Sequence, residues 1–345
     1  MPEPAASRAA ASSRATGLTL PAVCALSSVN NTIKTNKHMK KTTIALVAAC
    51  CLTACGNGQK ANQPTADSTA VATEKQASEE VSEPESDEPI SIDFETGVMK
   101  VNGVRYEFAH VDGGTFTMGA TADMDEAQDN EKPAHKVTLT RDYYIGKTEV
   151  TWALWKAVMG EYPHDHTGDG TTIGPREHPD NFPVDNVTWN QCQSFIGELN
   201  ATFGECADFR LPTEAEWEFA ARGGNKSKHY KYSGSNTLDE VAWYEDNSGR
   251  ANHAVATKKP NELGIYDMSG NADEWCSDLW GNYSSKPQTD PRGPEGDEDG
   301  DYVKRGGNSY ISAEFCMVSS RDREYYSLEG GGCGFRIAFI KWEGH

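Results

Sequence analysis

Large apolar side chains are nearly missing from residues 56–95, and this gap limits where the chain can build a core. Between Asp67 and Glu95 the segment carries ten acidic residues and one lysine, with serine, threonine, proline and alanine between them. Such a segment buries too little apolar surface to offset the conformational entropy that folding removes. We therefore expect a disordered acidic tether over residues 55–96. Residues 97–345 are rich in tryptophan, tyrosine and glycine and are long enough for one sizeable core.

The segment that begins at Met39 has the pattern of an export signal. Two lysines follow Met39, the apolar run IALVAACCL covers residues 44–52, and small residues precede Cys55. The run is too short to span a bilayer and fits a cleaved signal peptide over residues 39–54. The letters LTAC at residues 52–55 resemble a bacterial lipobox, which implies a lipid on Cys55. An ordinary signal peptide with a chance cysteine is the alternative, and residues 1–38 are interpreted as an over-extended start.

Export and composition together narrow the function. A lipid on Cys55 would anchor the domain in the cell envelope, with the outer membrane as the predicted location. The formal net charge is −20, and the folded part has no stripe of lysine and arginine, so nucleic acid is excluded as a partner. Five cysteines lie in residues 97–345, so at least one is unpaired within the chain. No CxxC occurs among them, which argues against a structural zinc site.

Local patterns predict short strands and three capped helices. Asn102-Gly103 sits between apolar residues and predicts a hairpin. Residues 113–119 and 135–140 alternate as half-buried strands do. Helices are predicted to begin after TEVT (residues 148–151), after NVT (186–188) and at LPTEAE (211–216), where Thr213 and Glu216 form a capping box. Beyond Gly223 the chain is glycine-rich and irregular, so the patterns indicate a single loop-rich α+β domain.

A series of short motifs carries more information than the periodicity does. In chain order they are GGTFTMG (113–119), TEVT (148–151), PVDNVTW (183–189), RLPTEAEWE (210–218), NELG (261–264), SGN (269–271), EW (274–275) and GFR (334–336). This order resembles the sulfatase-modifying-factor, or formylglycine-generating-enzyme, family from about residue 108 to 339. The resemblance implies a C-type-lectin-like α+β fold with little regular secondary structure. It does not by itself imply the reaction.

The resemblance also implies where a copper site would lie. Enzymes of this family oxidise a sulfatase cysteine to formylglycine with a Cu(I) ion held by two thiolates, which are the soft ligands that Cu(I) prefers. The second metal cysteine falls on Cys316, and the first falls on Ile311, which has no lone pair. Further departures are Asn308 in place of serine, Asp273 in place of tryptophan and Phe315 in place of tyrosine. We therefore expect no copper site and assign no catalytic residue.

The family's structural calcium is the second implied cofactor. Its ligands around the Gly-Asn turn fall on Asp267, Gly270, Ala272 and Glu274. Hard oxygen ligands that close a short loop suit Ca²⁺. The alternative is that Glu274 only accepts hydrogen bonds from backbone amides.

The segment from Asn308 to Gly332 is the candidate ligand-binding region. It is rich in tyrosine, serine, asparagine and arginine, which are common on adaptable binding surfaces. In some relatives this region is the diversified binding face, and a plain surface loop is the alternative. The candidate ligand-binding residues are Asp273, Asn308, Tyr310, Cys316 and Arg321.

We therefore predict a membrane-anchored, non-catalytic lipoprotein that binds a protein, peptide or glycan ligand or a partner subunit. The alternative is a copper-dependent oxidoreductase that converts a sulfatase cysteine to formylglycine.

Overall fold

The computed structural model describes residues 23–25, 89–122, 124–163, 165–166, 172–173, 179–296, 299–327 and 332–341. The predicted signal peptide, Cys55 and the tether up to residue 88 lie outside the described residues. All described residues belong to one compact unit. Among them, no helix combines the length and the apolar character that crossing a membrane requires.

Strands in the described residues are short. They are β1 Val23–Ala25, β2 Ile90–Asp93, β3 Val98–Val101, β4 Val104–Val111, β5 Gly114–Met118, β6 His135–Leu139, β7 Tyr143–Gly146, β8 Asp165–His166, β9 Thr172–Ile173, β10 Ala207–Arg210, β11 Asp273–Leu279, β12 Gln288–Thr289, β13 Asp301–Arg305, β14 Arg321–Tyr325, β15 Cys333–Gly334 and β16 Ala338–Lys341.

Helices are few. The α-helices are α1 Trp152–Met159, α2 Trp189–Phe203, α3 Glu214–Ala221 and α4 Leu238–Val241, and the 3₁₀ helices are Asp129–Glu131, Gly204–Cys206, Gly224–Lys226 and Ala313–Cys316. The predicted α+β, loop-rich class is confirmed.

The strands form four sheets. The largest has seven strands in the order β1-β2-β3-β4-β7-β16-β10, and a four-stranded sheet has the order β14-β13-β11-β15. A three-stranded sheet β12-β6-β5 and the pair β8-β9 complete the set. Pairing is antiparallel except for β11 with β15 and β12 with β6. The four-stranded sheet carries most of the predicted site residues.

The first three helices begin where their capping residues predict. Thr151 accepts a hydrogen bond from the Leu154 amide at the start of α1, and Gly160 ends that helix in a left-handed conformation. Thr188 and Thr213 each form a capping box at the start of α2 and α3. Side-chain oxygens thus satisfy amide groups that have no partner within the helix.

The sheet begins earlier than the predicted domain boundary at residue 97. Strand β2 pairs antiparallel with β3, and Ile92 is fully buried. Ile90, Ile92 and Phe94 alternate with polar residues, which is the period of a strand with one buried face. The acidic composition of residues 67–95 led to the prediction of a tether there, and the short alternation at its end was not used. Strand β1, which lies in the segment 1–38 interpreted as an over-extended start, pairs antiparallel with β2.

Buried side chains form two clusters. The first packs α1 and α2 against the seven-stranded sheet and includes Trp155, Phe195 and Phe335. Their rings lie 5.2 to 6.1 Å apart. The second surrounds α3 and includes Trp217 and Cys316. Because the GFR motif and the RLPTEAEWE motif supply large buried residues to these clusters, the family motifs hold the core together as well as any site.

Candidate functional site

The four-stranded sheet gathers charged residues around one buried amine, which we call the Lys304 cluster. Lys304 Nζ lies 3.6 Å from Asp273 Oδ2, 3.4 Å from Asp322 Oδ2 and 3.7 Å from Glu324 Oε2. Strand register explains the assembly, because Lys304 and Asp322 are directly paired and Glu324 lies two residues further along β14. Asn308 completes the cluster, since its Nδ2 donates to Asp273 Oδ2 at 2.8 Å.

Burial and charge oppose each other in the Lys304 cluster. Burial raises the pKa of Asp273, which is 4% exposed, and the Lys304 amine only partly offsets that effect. Burial also disfavours the ammonium form of Lys304, but the surrounding negative charges outweigh it and the net pKa lies above its ordinary value. The amine is therefore charged and is held by several carboxylates. The cluster as a whole carries more negative than positive charge.

Tyr310 lies at the edge of the Lys304 cluster. Its backbone amide donates to Asn308 Oδ1 at 2.9 Å, so the Asn308 side chain connects the Tyr310 backbone to Asp273. The ring is 44% exposed, and Tyr325 on β14 is 40% exposed. These are the large apolar side chains that remain exposed among the described residues. Asp273, Asn308 and Tyr310 thus lie together in the structure, and their role in ligand binding remains a prediction.

Cys316 does not face this surface. It is fully buried at the end of the 3₁₀ helix Ala313–Cys316, within the core cluster around α3. Burial raises the pKa of the Cys316 thiol above its ordinary value, and the nearby charge of Asp273 adds to the effect. Gly307 has a φ of 72°, and a Cβ there would lie 2.8 Å from the Phe315 carbonyl oxygen and 3.0 Å from the Cys316 sulfur. Only glycine fits against this thiol.

These residues do not fit a two-thiolate copper site. Ile311 packs against the cluster that contains Cys316 and offers only hydrocarbon. The free cysteines among the described residues are Cys192, Cys276, Cys316 and Cys333, whereas Cys206 is disulfide-bonded. The prediction of at least one unpaired cysteine is confirmed. Because the retained thiol is buried and protonated and its expected partner is isoleucine, the sulfur ligands that Cu(I) needs are not in place.

Arg321 belongs to a different site from the other candidates. It precedes Asp322 on β14, so its side chain lies on the opposite face of the strand. There its guanidinium donates from Nε to Glu214 Oε1 at 2.7 Å and from Nη2 to Glu214 Oε2 at 2.8 Å. Arg321 therefore does not share a site with Asp273 and Asn308, and its role in ligand binding remains a prediction. Position in the sequence did not show which face of β14 each residue would occupy.

Glu274 has a structural partner in the core. Its Oε2 accepts from Arg336 Nε at 2.6 Å and from Trp217 Nε1 at 2.7 Å, and its Oε1 accepts from Arg336 Nη2 at 2.5 Å. Glu274 and Arg336 are both fully buried. This pair links the EW motif to the GFR motif. A role of Glu274 as a calcium ligand remains a prediction, but the expected alternative of backbone-amide bonding is not what its side chain does.

Two neighbouring carboxyl groups each have an oxygen that no other described residue bonds. Glu149 Oε2 and Asp267 Oδ1 are buried, and the two groups can share a proton with each other. Their other oxygens are engaged, since Asn271 Nδ2 donates to Glu149 Oε1 at 3.0 Å and the Ala256 amide donates to Asp267 Oδ2 at 2.7 Å. Burial raises the pKa of Asp267 to about 6. Burial, followed by the charges of Asp267 and Glu274, raises the pKa of Glu149 well above its usual range.

The loop that holds Asp267 is tightly constrained. Asp267, Gly270 and Asn271 all have left-handed backbone conformations, with φ of 59°, 78° and 65°. A Cβ on Gly270 would lie 2.3 Å from the Trp243 carbonyl oxygen, so this turn requires glycine. The turn carries the predicted calcium-ligand carbonyls of Gly270 and Ala272. Strain of this kind is usually found where surrounding contacts fix a functional or structural loop.

The Glu149–Asp267 carboxylate pair fits a hard cation better than the predicted ligand set alone. Two buried carboxylate oxygens without hydrogen-bond donors are costly unless a proton or a metal ion compensates them. A groove of about 590 Å³ is lined by Thr148, Ala256 and Tyr266, which are chain neighbours or hydrogen-bond partners of the pair. The groove lies beside the pair, although neither carboxylate lines it. Sequence reasoning missed Glu149, although it lies in the TEVT motif that was used only as a helix start.

The comparisons with known proteins agree with the fold and the motifs. Residues 99–340 match the sulfatase-modifying factor enzyme 1-like domain, so the chain belongs to this family. The chain is 33% identical over 226 residues to a chaperone protein, LppX, of Paenibacillus barcinonensis, covering 52% of this chain and 73% of the relative. It is 32% identical over 210 residues to the formylglycine-generating enzyme of Thermomonospora curvata, covering 55% and 64% of the two chains.

A solved structure gives the same result. Treponema denticola variable protein 1 superposes with a TM-score of 0.57 at 31% identity, covering 70% of this chain and 97% of that chain. The fold is thus the one that the motifs predicted, and it is shared by relatives with an enzymatic name and by relatives without one. Family membership therefore leaves the chemistry to the residues of the site.

Proposed function

We propose that this chain is a membrane-anchored lipoprotein whose sulfatase-modifying-factor domain binds a ligand or partner protein and does not make formylglycine. The observation that carries the proposal is the Lys304 cluster. At the positions where the family's catalytic pocket is expected, the chain has Asp273 bonded to Asn308 and paired with the buried amine of Lys304. Cys316 lies in the core, in the cluster against which Ile311 packs. A charged network of this kind supports recognition by charge and hydrogen bonding.

The charge of this surface favours a cationic partner. Lys304 is shared by three carboxylates, and the side chains of Asp322 and Glu324 remain 63% and 27% exposed. Tyr310 and Tyr325 add exposed aromatic rings, which bind both apolar stems and cationic groups. Lysine and arginine side chains present both features. The proposed ligand class is therefore a protein or peptide with exposed basic residues.

The relatives are consistent with a binding role. One is named a chaperone and another a variable protein, and neither name specifies an oxidation. The enzyme relatives share the fold but are named for a reaction that this chain lacks the expected thiolates to perform. We carry over to this chain only the use of the domain as a scaffold for binding.

We also propose that Glu149 and Asp267 hold a calcium ion next to the Gly270 turn. Support comes from their unpartnered buried oxygens and from the adjacent groove. Calcium binds carboxylate and carbonyl oxygens, and it would take the place of the proton that the buried pair otherwise holds. In this proposal Asp267 and the Gly270 and Ala272 carbonyls are retained from the expected set, and Glu149 is added.

A copper titration separates the binding proposal from the enzyme alternative. The purified domain is titrated with Cu(I) under a competing chelator and is then incubated with a peptide that contains Cys-x-Pro-x-Arg. We expect no stoichiometric copper uptake and no change in the peptide mass. Ile311→Cys, which restores the two-cysteine pattern, provides the gain-of-binding comparison. Tight Cu(I) binding to the natural sequence that disappears in Cys316→Ser would establish the enzyme alternative instead.

A charge-matched experiment tests the binding surface. Fluorescence anisotropy would measure a labelled lysine-rich peptide and its glutamate-rich counterpart against the full domain. We expect the basic peptide to bind and Asp322→Asn/Glu324→Gln to weaken it about tenfold, the loss of roughly one charge-assisted contact. The control, Glu198→Gln/Asp246→Asn, removes the same charge from exposed positions elsewhere. Equal weakening by both double variants would mean that only the net charge matters.

The anchor is tested separately. Metabolic labelling with palmitate should mark the natural chain and leave Cys55→Ala unlabelled. Persistent labelling of the variant would place the lipid on another residue.

A further inference from the structure

A second cleft, separate from the Lys304 cluster, lies between β11, the start of α3 and the loop after Trp280. Its volume is about 260 Å³. It lies on the face of β14 that carries Arg321. The residues that line it and enter the argument are Glu214, Asp278, Tyr283, Ser284 and Arg321.

Asp278 is the unusual member of this cleft. The residue is 3% exposed, yet only one of its carboxylate oxygens is used. Asp278 Oδ2 accepts from the Glu214 amide at 2.9 Å and from Ser277 Oγ at 3.0 Å. No residue in the described part of the chain donates a hydrogen bond to Asp278 Oδ1. Asp278 lines the cleft, and its Oδ1 is not one of the fully buried unpartnered atoms, so a donor that enters the cleft can reach this oxygen.

The neighbouring cation cannot serve as the counter-ion of Asp278. Arg321 donates two hydrogen bonds to Glu214 and a third to the Gly281 carbonyl at 2.8 Å. Tyr283 also directs its hydroxyl to Glu214 Oε1, at 3.0 Å. The Glu214–Arg321 pair is thus internally neutral. Glu214 also lies 3.7 Å from Arg305 Nε, but Arg305 does not line the cleft and pairs with Glu218. Among the charged residues that line the cleft, an ionised Asp278 therefore leaves one negative charge in excess.

Charges on the other elements around Asp278 do not change this balance. Glu216 on α3 also faces it, but Arg210 neutralises Glu216 through two hydrogen bonds of 2.6 Å. Burial, and then the charge of Glu214, raises the pKa of Asp278 to about 7. The group therefore exchanges its proton in the neutral range, where a bound cation can replace that proton.

We propose that this cleft binds a small organic cation, a primary amine or a guanidinium group, whose N–H donates to Asp278 Oδ1. The ligand's ammonium replaces the missing donor and the missing positive charge in one contact. Tyr283 and the apolar parts of the lining pack against the ligand's hydrocarbon portion. The inference does not depend on the ligand of the Lys304 cluster, since the two surfaces share no residue.

The competing interpretation is that Asp278 only holds the start of α3 through the Glu214 amide. Asp278→Asn distinguishes the two, because an asparagine side-chain oxygen can still accept from that amide but carries no charge. Glu295→Gln is the matched control, since Glu295 is exposed next to the cleft-lining residue Pro294 and loses the same charge. Ser284→Phe fills the cleft without altering Asp278.

The test measures benzylamine and its neutral counterpart benzyl alcohol by calorimetry and by amide chemical shifts of the full domain. We expect saturable benzylamine binding at pH 8, little binding of the alcohol, and affinity reduced about tenfold or more in Asp278→Asn. Ser284→Phe should also lose binding, whereas Glu295→Gln should keep it. Affinity should fall about tenfold per pH unit below pH 7 and level off above it.

Any of three results would overturn the inference. They are equal benzylamine affinity in the natural chain and in Asp278→Asn, equal affinity for the amine and the alcohol, and no saturable binding of benzylamine at all. Far-ultraviolet circular dichroism and the melting temperature establish that each variant is folded. If Asp278→Asn does not fold, the pH dependence and the Ser284→Phe result decide the question on their own.

Discussion

Replacing Glu149 by glutamine is the most informative test of the proposed calcium site. In the natural chain, Glu149 Oε2 and Asp267 Oδ1 are buried, and no other residue in the described part of the chain donates a hydrogen bond to them. If calcium occupies the site, it compensates both oxygens. Without calcium, Glu149 holds a proton, because burial and the neighbouring charges raise its pKa. Glutamine retains the shape of glutamate and an oxygen for the Asn271 amide. Its N–H donor can serve Asp267 as a protonated glutamate does, but glutamine cannot become the carboxylate that a cation needs.

The expected magnitudes follow from the contacts. Calcium at a hundred times its dissociation constant raises the free energy of unfolding by about 2.7 kcal/mol. For a domain of this size 1 kcal/mol shifts the melting temperature by about 2–4 °C, so EDTA should lower it by roughly 5–11 °C. In EDTA at neutral pH, Glu149→Gln should melt close to the natural chain, because the amide replaces a carboxyl group that already holds a proton.

The assay is a thermal melt of both chains in calcium and in EDTA, with magnesium as the comparison ion. The natural chain should be shifted by calcium, and Glu149→Gln should show little response. Glu198→Gln, an exposed change on α2, should behave as the natural chain does. If the natural chain melts at the same temperature with calcium and with EDTA, the carboxylates share a proton and the metal proposal is refuted. A destabilised, calcium-responsive Glu149→Gln would show that this glutamate is structural and not a ligand.

Three further predictions concern the rest of the domain. For Asp278 the folded-state pKa of about 7 lies above the ordinary 3.8, so its contribution to stability is complete below about pH 4 and is lost as pH rises to about 7. Chemical denaturation at pH 5, 6, 7 and 8 should show Asp278→Asn gaining about 1.4 kcal/mol per pH unit on the natural chain up to pH 7, and a constant difference would contradict the assignment. Lys304→Met should lower the unfolding free energy by about 3–5 kcal/mol, because Asp273 loses its buried counter-ion. Adding Asp273→Asn should restore much of the lost unfolding free energy. No recovery in the double variant would mean that the lysine acts mainly through packing. Gly307→Ala should destabilise the fold by more than about 1 kcal/mol, since the new Cβ would lie 2.8 Å from the Phe315 carbonyl oxygen; an unchanged melting temperature would show that this turn can move.

Much of the local structure is readable from the chain because the signals are local. The helix starts at Thr151, Thr188 and Thr213 each depend on a side chain that reaches an amide three residues away. The Asn102-Gly103 turn needs only the backbone freedom of those two residues, and the structure places it between β3 and β4. Part of the core can also be predicted from the sequence, because the family motifs supply Trp217, Trp275 and Phe335, which are fully buried.

The candidate site was predicted less completely because its members come from separate parts of the chain. Asp273 and Asn308 were found because the motif alignment marks both positions as departures. Lys304, Asp322 and Glu324 carry no motif, and only the pairing of β13 with β14 and β11 brings them to Asp273. A search for alternating charges in the strands on either side of the paired glycines would have found these three residues.

The order of the motifs was sufficient to determine the family, the α+β class and the replacement of a metal-binding cysteine by Ile311, since each depends on residue identity and spacing alone. Only the tertiary structure decided that Arg321 lies on the opposite face from Asp322, that Glu274 pairs with Arg336, and that Glu149 meets Asp267. Strand pairing and burial decide these contacts. Glu149 and Asp267, for example, are more than a hundred positions apart in the chain. A single sequence does not show which distant side chains will share a face or be buried together.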